Sequence, residues 1–190
     1  MNSQIVIGGY GGQGVLFIGR LLAEAGLLEG REVTWMPAYG AEKRGGTCQC
    51  YITIADEKIG SLFIGRPNAA IAMNPASLER LEPVMQPGSL IVVNQSLVPS
   101  RVKRKDIHPL YVPANELATK MGDDSIGNLV TLGALIAALP VVSISNVITV
   151  LKQMLAKNQK HLEMNRQAFI EGCIRGNGHR PAQYYISATA

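Results

Sequence analysis

An α/β fold built on a doubly wound sheet is predicted by three features of this chain. Short apolar runs alternate with stretches of helical periodicity, a glycine-dense turn joins the first run to the first helix, and residues 47–55 alternate in strand fashion. Together these give a Rossmann-like mixed sheet with helices on both faces and an antiparallel hairpin. At 190 residues and 47% hydrophobic content the chain can bury one sizeable core, so a single domain without a linker is expected.

The elements follow in order. Residues 4–8, with Ile5-Val6-Ile7 at their centre, form the first strand, and residues 13–28 the first helix. Residues 32–36 form the second strand, which Pro37 is expected to end. Residues 47–55 are read as one arm of the hairpin, with Asp56-Glu57 turning the chain into residues 58–62 as the other arm. A short buried strand is expected at 69–73, then a helix over 75–84 with Ser77 near its start. After the Pro87-Gly88 turn, residues 89–93 are nearly continuous in apolar character, the mark of a parallel strand buried on both faces, and 109–112 repeat the pattern more briefly.

Beyond Ala114 the pattern is helical. Residues 115–121 make a short helix, and 126–139 are apolar on most faces and therefore buried, with Pro140 as the stop. Ser143 caps a helix over 144–155. Another helix spans 159–174 with Leu162, Phe169, Ile170 and Cys173 on one side, and Gly176-Asn177-Gly178 breaks it. The tail to Ala190 shows no period and is expected to be extended, held by a partner or by Tyr184-Tyr185.

Composition narrows the class. The charged fraction is 17%, modest for a soluble monomer, so another subunit is expected to cover part of the apolar surface. Net charge is +4, with Lys and Arg dispersed except at Arg101-Val102-Lys103-Arg104-Lys105. That cluster reads as a solvated loop or, less favoured, as a patch for an acidic partner. No aromatic interleaving supports nucleic-acid binding, and no apolar run reaches the length of a membrane span. Three cysteines, an odd number, and no basic-then-apolar start lead to an expected cytoplasmic location.

The chemistry concentrates in two glycine clusters. Gly9-Tyr10-Gly11-Gly12-Gln13-Gly14 sits between strand and helix, where bare amides at a helix N-terminus can face an anion. A dinucleotide site also needs an acidic residue at the end of the second strand. Here that strand ends Val33-Thr34-Trp35-Met36-Pro37, with Glu32 at its beginning, and no arginine replaces the missing acid. Nicotinamide binding is therefore disfavoured. A tight turn without ligand and a site for another phosphate-bearing group, such as the coenzyme A diphosphate, both remain open. No Walker lysine follows the loop, so nucleotide hydrolysis has no support.

The second cluster is Tyr39-Gly40-Ala41-Glu42-Lys43-Arg44-Gly45-Gly46, just past a strand end. Arg44 can hold a phosphate or carboxylate through two parallel hydrogen bonds with Glu42 orienting it, or the segment is a solvated connection with a local ion pair. Cys48 and Cys50 point to one face of a strand but make only two ligands, too few for a zinc or iron–sulfur site. Cys48, Cys50 and Cys173 read as core or interface thiols, and His108, His161 and His179 are scattered. Asp123-Asp124 precedes a helix and reads as charge for its N-terminus. No triad and no acid–base pair is present, so the chain is not expected to be catalytic alone.

The run Gly9-Tyr10-Gly11-Gly12-Gln13-Gly14-Val15, followed by Tyr39-Gly40-Ala41-Glu42-Lys43-Arg44-Gly45-Gly46, resembles the gamma subunit of 2-oxoacid:ferredoxin oxidoreductases. Further likenesses are Ile54-Ala55-Asp56-Glu57-Lys58-Ile59-Gly60, Pro87-Gly88-Ser89-Leu90-Ile91-Val92-Val93-Asn94 and Asn128-Leu129-Val130-Thr131-Leu132-Gly133-Ala134, so the resemblance covers residues 4–172. It implies a gamma domain over residues 1–176 and a separate tail over 177–190. It also implies a complex that decarboxylates a 2-oxoacid, 2-oxoglutarate favoured over 2-oxoisovalerate and pyruvate, to an acyl-coenzyme A while reducing ferredoxin. Thiamine diphosphate and iron–sulfur clusters are implied in alpha, beta and delta-type partner subunits, with none bound by this chain alone. The implied site at the coenzyme A side comprises Gly9, Gly11, Gly12, Gln13, Gly14, Tyr39, Glu42, Arg44, Gly45 and Gly46. A homodimer of the isolated chain is compatible with this. A stand-alone nucleotide-binding or regulatory protein, or the small subunit of an indolepyruvate oxidoreductase, is the alternative.

Overall fold

A computed structural model describes residues 2–40 and 46–179. The elements are β1 (Asn2–Tyr10), α1 (Val15–Leu28), β2 (Glu32–Tyr39), β3 (Thr47–Ala55), β4 (Ala69–Ala72), α2 (Pro75–Leu81), β5 (Leu90–Asn94), β6 (His108–Val112), α3 (Ala114–Lys120), α4 (Gly127–Ala138), α5 (Ile144–Met154) and α6 (Gln159–Gly176). A 3-10 turn, Glu82–Val84, extends α2, and another, Asp124–Ile126, leads into α4. The strands form one sheet in the order β2-β3-β1-β4-β5-β6. β1, β4, β5 and β6 run parallel, and β3 is antiparallel to both of its neighbours, β1 and β2.

The fold class holds, but the hairpin is not the expected one. β3 pairs with β2 across the second glycine cluster, Glu32 opposite Ala55 through Tyr39 opposite Cys48, and residues 58–62 form no strand. Both edges of β3 are already taken by β1 and β2, so residues 58–62 cannot pair with it. β2 also runs past Pro37 to Tyr39. The Gly40 N–H donates to the Thr47 carbonyl at 2.7 Å, so even-numbered residues of β2 bond to β3. Pro37 then turns its missing N–H to the free edge, where a proline is tolerated.

The two sheet faces are covered unequally. Ile5, Ile7, Cys50, Ile52, Ile54, Ile71, Val92 and Val112 pack with α1 and with α3 through α6 in the larger core. Val6, Ala70, Ala72, Ile91 and Val93 pack under α2 and the segment carrying Val98 and Ile107. The basic cluster belongs to this second layer and is more than a solvated loop. Arg104 Nη1 donates to the carbonyls of Glu82 and Met85 at 3.0 and 2.8 Å, and its Nε and Nη2 grip both oxygens of Asp106. Arg101 lies 4.2 Å over the Tyr111 ring.

α4 is central, and its apolar character on most faces reflects burial by the sheet, α1, α3 and α6. It meets α6 through glycine. A Cβ on Gly133, Gly172 or Gly176 would run into backbone atoms of the opposing helix. α5 is fixed at its start by Ser143, whose hydroxyl accepts from the Asn146 amide, and by Glu29 at the end of α1. Glu29 accepts from the Ser143 amide at 2.6 Å and from Asn146 Nδ2 at 3.1 Å.

Burial raises the Glu29 carboxyl, but hydrogen bonds from Ser143 and Asn146 and the Arg31 charge outweigh it and hold the group below its ordinary value. A carboxyl depressed in the folded state contributes stability above its unfolded pKa of about 4.3 and loses it as pH falls through the lower folded value. Glu29→Gln is expected to cost about 1 kcal/mol at pH 7. Urea unfolding should show that gap closing as the pH is lowered from 7 to 3.

The three cysteines are buried. Burial pushes the Cys48 thiol up; burial first, then the neighbouring Cys48, pushes Cys50 to about 12, and burial pushes Cys173 to about 11. Gly19 makes room for this packing, since a Cβ there would strike Cys50 Sγ and lie 3.1 Å from Trp35 Nε1. Trp35 thus packs over α1 beside the Cys50 thiol. Iodoacetamide at pH 8 is expected to leave the native cysteines essentially unlabelled and to modify all of them in denaturant, read by intact mass.

Candidate functional site

β1 ends at Tyr10, and the chain turns through Gly11, Gly12 and Gln13 before α1 begins at Val15. Gly12 (φ +100) and Gly14 (φ +71) occupy the left-handed region, which side-chain-bearing residues rarely adopt. Gly9 is required by packing, because a Cβ there would lie 2.6 Å from Val15 Cγ2 and 2.9 Å from Gln13 Oε1. Gly12 opens onto free space, with nothing within 4 Å of where a Cβ would stand.

Gln13 works inward. Its Oε1 accepts from the Tyr10 amide at 2.7 Å and from Asn74 Nδ2 at 3.2 Å, and its Nε2 donates to the Met73 carbonyl at 3.3 Å. The side chain therefore stitches the turn to the end of β4. Asn74 also caps α2, accepting from the Ser77 amide at 2.8 Å. Two of the amides expected to face an anion are engaged internally: Gly11 N–H donates to the Gly46 carbonyl at 3.0 Å and Gln13 N–H to the Tyr10 carbonyl at 3.1 Å. The amides of Gly12 and Gly14 have no such hydrogen-bond partner among the described residues. The N-terminus of α1 has no side-chain cap.

The Gly11–Gly46 bond joins the two glycine clusters at the C-terminal edge of the sheet. Tyr39 ends β2 there with 71% of its surface exposed. Glu42, Arg44 and Gly45 lie outside the described residues. Next to the turn is a cleft of about 310 Å³ lined by Gly12, Gln13, Met73, Leu97, Asn115, Asp124, Ser125 and Asn128. It opens at the C-terminal ends of the parallel strands β1 and β4, from which the chain continues to opposite sides of the sheet, the crevice in which open α/β sheets hold ligands.

Asn115, Asp124, Ser125 and Asn128 were not singled out by the sequence as site residues. Asn128 Nδ2 donates to the Gly14 carbonyl at 3.4 Å and occupies the space a Cβ on Gly14 would need. Asn115 links Asn94 (2.7 Å) to the Asp124 carbonyl (3.1 Å). Asp123 accepts from the Ser125 amide at 2.9 Å, and hydrogen bonding from Ser125 holds its carboxyl low. A polar residue heading an otherwise apolar helix was the available signal for Asn128. Among the described residues no group of three or more His, Cys, Asp or Glu side chains is gathered to hold a metal ion. No helix among them is long and apolar enough to cross a membrane.

Residues 4–173 match the family model described as pyruvate ferredoxin/flavodoxin oxidoreductase. The ketoisovalerate oxidoreductase subunit VorA of Methanothermobacter thermautotrophicus is 37% identical over 134 residues, 70% of this chain, and the chain spans only 28% of that relative's length. The 2-oxoglutarate synthase subunit KorC of Methanothermobacter marburgensis is 29% identical over 184 residues, 90% of this chain and 99% of the relative. Among solved structures, the gamma subunit of a keto/oxoacid ferredoxin oxidoreductase from Geobacter sulfurreducens superposes with a TM-score of 0.77 at 25% identity. That superposition covers 92% of this chain and 98% of the other.

Proposed function

Because the chain belongs to the pyruvate ferredoxin/flavodoxin oxidoreductase family, we propose that it acts as the non-catalytic gamma subunit of a cytoplasmic 2-oxoacid:ferredoxin oxidoreductase. The supporting observation is the Gly11–Gly46 hydrogen bond, which joins both glycine clusters beside the cleft at the sheet's switch point. The alpha, beta and delta-type subunits are its partners, and ferredoxin is reached through the complex. In that assembly thiamine diphosphate supplies the decarboxylation chemistry, iron–sulfur clusters supply the electron path, and coenzyme A takes up the acyl group.

This chain's own part is binding and docking. The free amides of Gly12 and Gly14 and the uncapped end of α1 suit a phosphate of coenzyme A. Gly9, Gly11, Gly46 and Gln13 hold the turn in shape, and to Tyr39, Glu42, Arg44 and Gly45 we assign contact with coenzyme A or with the partner subunits. For the substrate we favour 2-oxoglutarate, in line with the near-full-length relation to a 2-oxoglutarate synthase subunit. A branched-chain 2-oxoacid is the second reading, favoured by the higher identity to the ketoisovalerate oxidoreductase subunit.

Affinity purification of the chain from its native host is expected to yield a brown complex containing thiamine diphosphate. Its kcat/KM across 2-oxoglutarate, 2-oxoisovalerate and pyruvate separates the two substrate readings. In that complex Arg44→Ala is expected to raise the apparent KM for coenzyme A about tenfold, near 1.4 kcal/mol, or to weaken assembly. Normal assembly with an unchanged KM would remove Arg44 from both roles. Tight binding of NAD or NADP by the isolated chain would count against the whole reading.

A further inference from the structure

The basic run after β5 has no part in the proposed function, yet it edges a groove of about 560 Å³ on the sheet face that carries α2. One wall is α2 and its 3-10 extension, with Pro75, Leu78, Glu79 and Pro83, and facing it stand Arg101 and Lys103. Exposure alternates along residues 101–105: Arg101, Lys103 and Lys105 are exposed, while Val102 and Arg104 are half-buried. An extended chain turns successive side chains to opposite sides. The alternation therefore places the three exposed cations on one side, at intervals of at most about 7 Å.

The segment is held in place from beneath. The amides of Lys103 and Arg104 donate to Glu82 Oε1, and the Val102 amide donates to the Tyr111 hydroxyl at 2.8 Å. The Arg104 guanidinium is occupied by the Glu82 and Met85 carbonyls and by Asp106. Arg101, Lys103 and Lys105, by contrast, have no ion-pair partner among the described residues. Like charges fixed side by side on one edge repel one another, and an anionic partner relieves that repulsion.

We propose that this groove docks an extended acidic segment of a protein partner. Its carboxylates face Arg101, Lys103 and Lys105, and its alternate, apolar side chains face Pro75, Leu78 and Pro83. An extended segment matches the spacing, since its own alternate side chains repeat about every 7 Å. Glu79 sets the orientation, because it repels carboxylates from the α2 wall. A nucleic acid suits the groove less: Glu79 repels phosphates too, and the Tyr111 ring, covered by Arg101 at 4.2 Å, offers no stacking platform on that face. The site uses none of the residues assigned to coenzyme A.

Fluorescence anisotropy on the full chain tests this, with a labelled octapeptide of alternating glutamate and valine as the probe. Saturable binding is expected, weakening about fivefold or more as salt rises from about 50 to about 300 mM. Lys103→Gln combined with Lys105→Gln should weaken it about tenfold or more, and both side chains are exposed and support no contact of the fold. Lys152→Gln, an exposed lysine of α5 on the opposite sheet face, should change it less than about twofold. Serine in place of the probe's valines should also weaken binding about tenfold, since the α2 wall then meets no apolar side chain. The absence of saturable binding, or binding that the double variant leaves unchanged, would overturn the proposal. Equal affinity for the serine probe would overturn it in favour of a bare charged edge. Displacement of the probe by an equal concentration of inorganic pyrophosphate would overturn it in favour of a small-anion site, and tighter binding of a thymidine octanucleotide in favour of nucleic acid. These readouts use neither coenzyme A nor the subunits of the complex, so their failure is distinguishable from failure of the proposed function.

Discussion

Gly172→Ala is expected to lower the unfolding free energy by about 3 kcal/mol or more, and the melting temperature by about 6–12 °C for a domain of this size. The reason lies in the crossing of α4 and α6. A Cβ on Gly172 would overlap the Val130 carbonyl oxygen, lie 2.8 Å from the Val130 carbonyl carbon and 3.0 Å from the Ala134 amide nitrogen. All three are backbone atoms of α4, which cannot swing aside as a flexible side chain can, so the helices must move apart. α4 sits against the sheet with Leu129, Leu132 and Leu135 fully buried, so its displacement loosens the larger core as a whole. Gly60→Ala is the internal control: nothing stands within 4 Å of a Cβ there and its backbone is not left-handed, so stability should change by no more than about 0.5 kcal/mol. Equal melting temperatures for Gly172→Ala and Gly60→Ala would show that the helix crossing has slack that the geometry denies.

The parts of the fold legible in the sequence are those set by local chemistry. The turn after β1 was readable because glycines at Gly12 and Gly14 mark backbone that other residues avoid, and α1 because its apolar spacing is helical. Ser143 was readable as a cap for the same reason, its preference being local. Which strand pairs with which is not local. Residues 47–55 carry the alternation of a strand but no mark of its partners, and the structure gives them β1 and β2 where proximity in sequence suggested residues 58–62. Pro37 misled because a proline forbids a central strand but not an edge, and edge position depends on the whole sheet order.

The candidate site divides the same way. Its glycine clusters announced themselves through composition, and the structure adds that they meet. The polar wall of Asn115, Asp124, Ser125 and Asn128 comes from segments far along the chain that only the fold brings to the cleft. Arg104 shows the converse: a residue in a basic run, read by charge, is held by carbonyls of Glu82 and Met85 that sequence spacing does not announce.

Gln13 offers the other large effect, because it separates the shape of the glycine turn from the binding assigned to it. Gln13→Ala removes the acceptor of the Tyr10 amide and two links to the end of β4. The expected cost is about 1–2 kcal/mol, the usual sum for two partly buried hydrogen bonds and one exposed bond whose amide water can satisfy. In the assembled complex the apparent KM for coenzyme A should rise with it, since the Gly12 and Gly14 amides lose their fixed direction. Gln13→Glu keeps an acceptor for Tyr10 and Asn74 but sets a negative charge against the Met73 carbonyl, beside the amides proposed to meet phosphate. Its loss of stability should be smaller than that of Gln13→Ala and its loss of coenzyme A affinity larger, since the added charge acts directly on an anion. That reversal of order between melting temperature and KM is what a purely structural turn would not produce. If both variants lower the melting temperature and neither moves the KM for coenzyme A, the turn packs α1 against β4 and meets no ligand.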